Sequence, residues 1–165
     1  MTVNALFGLS VLMSFLAFGI VTRLYIWPRL RAMPREDALR GLAAPHMFRF
    51  VGLSFLVPGV VSPALSPEFA APAAYGDLGA TILAIVTTLA LSARASWAIP
   101  LTWVFNLWGA GDLLFAIYQG QIGVGIGPES LGAAFYIPTV VVPPLLVIHA
   151  LIFWLLLQPK QVRAD

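Results

Sequence analysis

Long apolar runs separated by short polar breaks make up most of this chain. Five stretches are mostly apolar over the length that a helix needs to span hydrocarbon about 30 Å thick: Asn4–Trp27, Pro45–Val61, Ala74–Ser92, Trp97–Tyr118 and Ala134–Leu157. None alternates apolar and polar positions between turns, so a barrel is not expected. The pattern predicts an all-α fold, a five-helix transmembrane bundle forming one integral membrane domain over residues 1–165. The first stretch lacks a basic n-region and a small-residue cleavage site, which argues against a signal peptide.

The breaks carry their own signals. "PREDALRGLAA" follows the first run, with Pro34 suited to a first helical position and Glu36 and Asp37 suited to an N-terminal turn. Leu39 and Leu42 share a face there, which predicts a short interfacial helix ended by Pro45. It reads as a solvated connector rather than a partner surface. "SPALSPEFAAP" reads as a Pro-rich loop over 62–73 that packs as a lid. "GQIGVGIG" carries no Lys and follows no strand, so it reads as a flexible turn rather than a phosphate loop.

Charge then orients the bundle. Arg23, Arg29, Arg31, Arg35, Arg40, Arg94, Lys160 and Arg163 all fall at breaks on one side. The N-terminal end and the 62–73 and 119–133 loops hold Glu68 and Glu129 but no Lys or Arg. The positive-inside rule makes the basic side cytoplasmic, with the N-terminus outside and the C-terminus inside. Trp27, Trp97 and Trp154 fall at inner ends, and Tyr75, Tyr118 and Tyr136 at outer ends, as two interfacial belts. The expected location is a bacterial inner membrane.

Composition supports the class and excludes others. Sixty per cent of the 165 residues are hydrophobic and 10% are charged, against roughly half and a quarter in soluble domains. Mean hydropathy is +0.92. The net charge of +2 sets topology rather than a nucleic-acid surface, because no basic stripe carries interleaved aromatics. With no Cys there is no disulfide, thiolate nucleophile or Cys-ligated metal site. No HExxH, GxSxG, P-loop or helix-opening GxGxxG is present, so the chain leans away from an enzyme.

The candidate chemistry lies in polar residues at membrane depth. A charge there costs about 2.5–3.5 kcal/mol on insertion scales, so it must face the bundle interior and take a partner. At about 1.5 Å per residue, Arg49, Asn106 and His149 fall at one level of three different spans. Arg49 with Asp112 is the expected deep ion pair, either a staple between helices or part of a site. His46 shares the helical face of Arg49 but lies nearer the cytoplasm, where it could simply snorkel. Asp77, before a long apolar run, reads as a helix N-terminal carboxylate. Pro143, Pro144, Gly109 and Gly111 suggest kinked or closely approaching helices with room for a ligand.

The stretches "RFVGLSFLVPGVV", "PAAYGDLGA", "FNLWGAGDLLFA" and "GAAFYIPTVVVPPLL" resemble a group of small multi-pass bacterial membrane proteins of no known function. That resemblance covers most of the chain from the second span onward and implies no activity. In size, span number and orientation the chain is also similar to the tryptophan-rich sensory/translocator proteins. Their Trp-Ala-Pro-Pro type motifs are missing here, so this second likeness is one of architecture only.

These observations lead to one functional expectation and two alternatives. The first is a membrane binding or accessory protein, holding an apolar small molecule, lipid or quinone in a pocket bordered by Arg49, Trp103, Asn106, Trp108, Asp112 and His149. In the second, His46 and His149 ligate a b-type haem for quinone-linked electron transfer. The third is a small transporter, although five helices fit an inverted repeat poorly. The expected partners are the lipid bilayer and either a second copy or a larger membrane complex.

Overall fold

The computed structural model describes residues 1–159. Every regular element among them is helical, and the one β feature is an isolated bridge between Pro58 and Val61. Helix α1 (Val3–Val21) starts at Thr2, whose hydroxyl accepts a hydrogen bond from the Ala5 amide at 3.3 Å. It continues through a π-helical turn (Thr22–Ile26) into α2 (Trp27–Ala32), farther than the expected end at Trp27. Pro28 does not stop the helix. The Trp27 amide, just before it, bonds back to the Thr22 carbonyl, and this wider turn absorbs the proline's missing donor. The same device recurs before Pro143, where the Val142 amide bonds to the Ile137 carbonyl.

Helix α3 (Arg35–Ala43) lies where an interfacial helix was expected, but it is not a solvated connector. Ala38, Leu39, Leu42 and Ala43 are buried against α4 and α6. It leads directly into a 3-10 helix over Ala44–Leu56, in place of the expected span Pro45–Val61. Residues 57–61 form a turn and the isolated bridge. A 3-10 helix rises about 2.0 Å per residue against about 1.5 Å for an α-helix. Thirteen residues therefore extend about 26 Å instead of about 20 Å.

Helix α4 (Pro67–Ser92) begins seven residues before the expected Ala74, which removes half of the expected lid. Ser66 caps it by accepting from the Glu68 amide at 3.2 Å, and Pro67 occupies a position that needs no donor. Helix α5 (Ala98–Tyr118) agrees with the sequence reading. The "GQIGVGIG" stretch is ordered by its own backbone: the Val124 amide bonds to the Gln119 carbonyl and the Ile126 amide to the Gly120 carbonyl, both at 2.8 Å. A 3-10 turn (Pro128–Phe135) and a π-turn (Ile137–Val141) then lead into α6 (Val142–Leu157), so the last span starts a few residues after Ala134.

Three helices are long and apolar enough to cross a membrane: Val3–Ala32, Pro67–Ser92 and Ile137–Leu157, with mean hydropathies of 2.2, 1.5 and 2.5. Helix α5 has comparable length and carries Asn106 and Asp112 within it. Two apolar clusters form the core. One joins α3, the C-terminal half of α4, α5 and α6 around Leu39, Phe105 and Ile152. The other gathers Phe55, Leu65, Phe69, Leu131 and Ile137 toward the opposite end. Arg49 and Asp77 fall between these clusters along their own elements.

Candidate functional site

The buried positions of the 3-10 helix are His46, Arg49, Gly52 and Phe55, a strict spacing of three. In a 3-10 helix residues three apart eclipse one another, so all four share one inward face. In an α-helix each step of three falls about 60° short of a full turn, and Phe55 would face the opposite way to His46. The tight helix is thus what aims Arg49 inward while Phe48 and Phe50 stay exposed.

Arg49 is 1% exposed and spans three elements. Its Nε donates to Asp77 Oδ1 on α4 at 2.7 Å, and its Nη2 donates to Asp112 Oδ2 on α5 at 2.5 Å. Its Nη1 donates to the Gly109 carbonyl at 3.0 Å and faces His149 Nε2 on α6 at 3.5 Å. The expected pair with Asp112 is therefore present, but it is half of the arrangement. Asp77 is not an N-terminal carboxylate: α4 starts at Pro67, which carries Asp77 into the third turn. With both carboxylates ionised, one guanidinium leaves the cluster with one net negative charge.

Behind Arg49, α5 and α6 are joined by a two-point contact. Asn106 Nδ2 donates to the His149 carbonyl at 3.2 Å, so its Oδ1 must be the atom facing His149 Nδ1 at 2.7 Å. That oxygen can only accept, which makes Nδ1 the protonated ring nitrogen and turns the Nε2 lone pair toward Arg49. His149 and Asn106 are 2% and 0% exposed. Thr81 donates from its hydroxyl to the Asp77 carbonyl at 2.9 Å and adds a buried bond beneath the cluster.

Three glycines make room for these side chains. A Cβ on Gly109 would sit 2.7 Å from His149 Cε1 and 3.0 Å from Arg49 Nη1. One on Gly52 would be 2.8 Å from Asp77 Cγ, and one on Gly76 would be 2.6 Å from Asp112 Cγ. Gly111, which the sequence suggested beside Gly109, faces open space instead.

Not every expected site residue converges here. Trp108 is 54% exposed, with its Nε1 3.4 Å from the Gly76 carbonyl, so it lies at the outer edge beside Asp112. Trp103 is half-buried and packs against Phe153, with ring centroids 5.9 Å apart, away from the cluster. Arg49, Asn106, Asp112 and His149 do come together, and Asp77 joins them. The sequence reading missed Asp77 as a partner; the one cue available was the tripeptide Gly-Asp-Leu, which recurs at 76–78 and 111–113.

His46 is fully buried rather than snorkelling. Its ring centroid is 4.2 Å from that of His149 and 5.2 Å from that of Phe105, and neither ring nitrogen has a hydrogen-bond partner. Two axial imidazoles must stand on opposite faces of a porphyrin with the iron between them. Rings in direct contact leave no space for that macrocycle, so this pair does not fit a b-type haem. Among the described residues, no group of three or more His, Asp or Glu side chains is placed to hold a metal ion.

At the α3 end, Arg94 ties the α4–α5 turn to α3. It donates to Glu36 Oε2 at 2.7 Å and to Asp37 Oδ1 at 2.8 Å. These hydrogen bonds, to Glu36 first and then Asp37, raise its pKa further above the ordinary arginine value. The pair is exposed, so its contribution to stability is small. Arg94 holds a positive φ of 52°, a conformation unusual for a side chain with a Cβ.

The model of one family, described as a domain of unknown function, DUF8737, matches residues 6–157. No curated protein and no solved structure matches the chain.

Proposed function

The chain belongs to the DUF8737 family, and on that premise we propose that it is a membrane-embedded binding or accessory protein that holds an apolar small molecule or lipid by its polar end. In this reading the 3-10 helix and α5 cross the bilayer with the three strongly apolar helices, as a five-span bundle in a bacterial inner membrane. The N-terminus is outside and the C-terminus cytoplasmic. Two pairings support the alternation. Trp27 packs on Trp154, with centroids 4.6 Å apart, at the end where Arg94 meets Glu36 and Asp37. Phe7 packs on Phe135, 5.7 Å apart, at the opposite end.

The observation that carries the binding reading is the single guanidinium shared by two carboxylates, both slightly open at their edges. The Asp112 and Asp77 side chains are 12% and 10% exposed, against 1% for Arg49, and what sets Asp112 apart is half-exposed Trp108, one helical turn before it on the same face. A carboxylate beside an aromatic face suits an ammonium group. The proposed ligand is therefore an apolar molecule ending in an amine, entering sideways between α4 and α5. One observation favours a second reading, a purely structural polar layer: Arg49, Asn106 and His149 already satisfy one another.

Tryptophan fluorescence of the purified protein, titrated with dodecylamine and separately with dodecanol, separates the two readings. The binding reading predicts a saturable response to the amine alone, weakened about tenfold or more in Asp112→Asn, as expected for losing a charged hydrogen bond. Equal responses to both probes, or none, would leave the structural reading. A reporter inserted beside Glu68 should appear outside the cytoplasm; a cytoplasmic signal would reverse the orientation.

A further inference from the structure

Helix α1 carries a shallow, open apolar groove that belongs to no part of the polar centre. Its walls are Phe15, Leu16, Ile20 and Leu24, its floor is Gly19, and Arg23 closes one end. These residues are neighbours at spacings of three and four around a missing side chain. No α1 residue is buried by the rest of the described chain, so this face meets the surroundings directly.

Arg23, like Arg31, lacks the side-chain partners that the other described basic residues at its end of the molecule have. Arg29 donates to the Tyr25 carbonyl at 2.9 Å, Arg35 to the Leu156 carbonyl at 2.6 Å, and Arg40 pairs with Asp37 at 3.4 Å. Among the described residues Arg23 has neither a hydrogen-bond acceptor nor an ion-pair partner for its side chain. It follows Val3, where α1 begins, by about 30 Å at 1.5 Å per residue, which matches the hydrocarbon thickness of a bilayer. An apolar groove thus runs through hydrocarbon and ends at Arg23, a cation without a partner among the described residues, at the depth of the lipid head groups.

We infer that this groove is a binding site for an anionic glycerophospholipid, with one acyl chain lying over Gly19 and the phosphate on Arg23. A guanidinium binds phosphate oxygens in pairs. The net negative head group adds attraction that a zwitterionic lipid lacks. The inference rests on α1 crossing the membrane, but not on the proposed ligand at Asp112.

The test is native mass spectrometry of the full chain released from micelles holding equal amounts of phosphatidylglycerol and phosphatidylcholine with identical acyl chains. The wild type should retain the anionic lipid about fivefold more, the factor expected from one basic group near a membrane surface. Arg23→Gln should bring that ratio near one. Gly19→Leu should reduce retention of both lipids, because a Cβ there meets nothing within 4 Å and the added side chain fills the groove without disturbing the fold. Gly8→Leu, equally uncrowded on the same helix, should behave as the wild type. No lipid preference in the wild type, or unchanged preference in Arg23→Gln with unchanged retention in Gly19→Leu, would overturn the site. A dimer that Gly19→Leu dissolves without changing lipid retention would assign the groove to a second copy instead.

Discussion

A guanidinium is a planar fork with donors on two edges, and Arg49 uses both. One edge meets Asp77 and the other meets Asp112, so the side chain bridges two helices. Removing it strands two carboxylates in a low-dielectric layer. Arg49→Ala should therefore destabilise the detergent-solubilised protein by about 3–5 kcal/mol, the range for breaking a buried pair. Arg49→Lys should recover only part of that loss, since an ammonium cannot present two edges. Double-mutant cycles should show coupling of Arg49 to Asp77 as well as to Asp112. Additive losses with Asp77 would show that the second bond is not made. Arg49 and Asp112 were legible as partners because a charge at membrane depth must be paired. Asp77 was not, because its role depended on where α4 begins, and Ser66 with Pro67 sets that start seven residues before the apolar run becomes obvious.

Helix type decides whether the site exists. His46, Arg49, Gly52 and Phe55 share a face only with three residues per turn. Cysteine scanning across residues 46–56 tests this on a clean background, because the chain has no Cys. Positions 46 and 55 should resist a lipid-soluble maleimide, while positions 48, 50 and 51 react; 49 and 52 are left unsubstituted, because losing Arg49 or adding a Cβ at Gly52 disturbs the cluster itself. Position 55 is decisive: strong labelling there with protection at 46 would indicate a period near 3.6 and undo the inward-facing row. The apolar content of this stretch was legible, but its tight winding was not. The cue was the spacing of one histidine, one arginine and one glycine, which a search for a periodic apolar stripe passes over. The π-turns before Pro28 and Pro143 escaped notice similarly, since their cause is a missing donor rather than a pattern of side chains.

At the scale of the whole molecule, the polar centre lies between two apolar clusters, one at each end of the bundle. The long apolar runs and the one-sided arginines made the helical class and the two ends readable in the sequence. Arg94 with Glu36 and Asp37, and Trp27 with Trp154, meet at the end where the basic residues gather. Lys160, Arg163 and the chain end at Asp165 complete that charge pattern in sequence but lie outside the described residues. The central claim is that the Arg49 layer lies inside the bilayer although its 3-10 helix has only 13 residues. Phe48, 65% exposed and next to Arg49, reports on this directly. A spin label on Phe48→Cys in reconstituted bilayers should be reached far more readily by oxygen, which dissolves in hydrocarbon, than by a water-soluble nickel chelate. A label reached more readily by the nickel chelate would place the 3-10 helix in water and contradict the account.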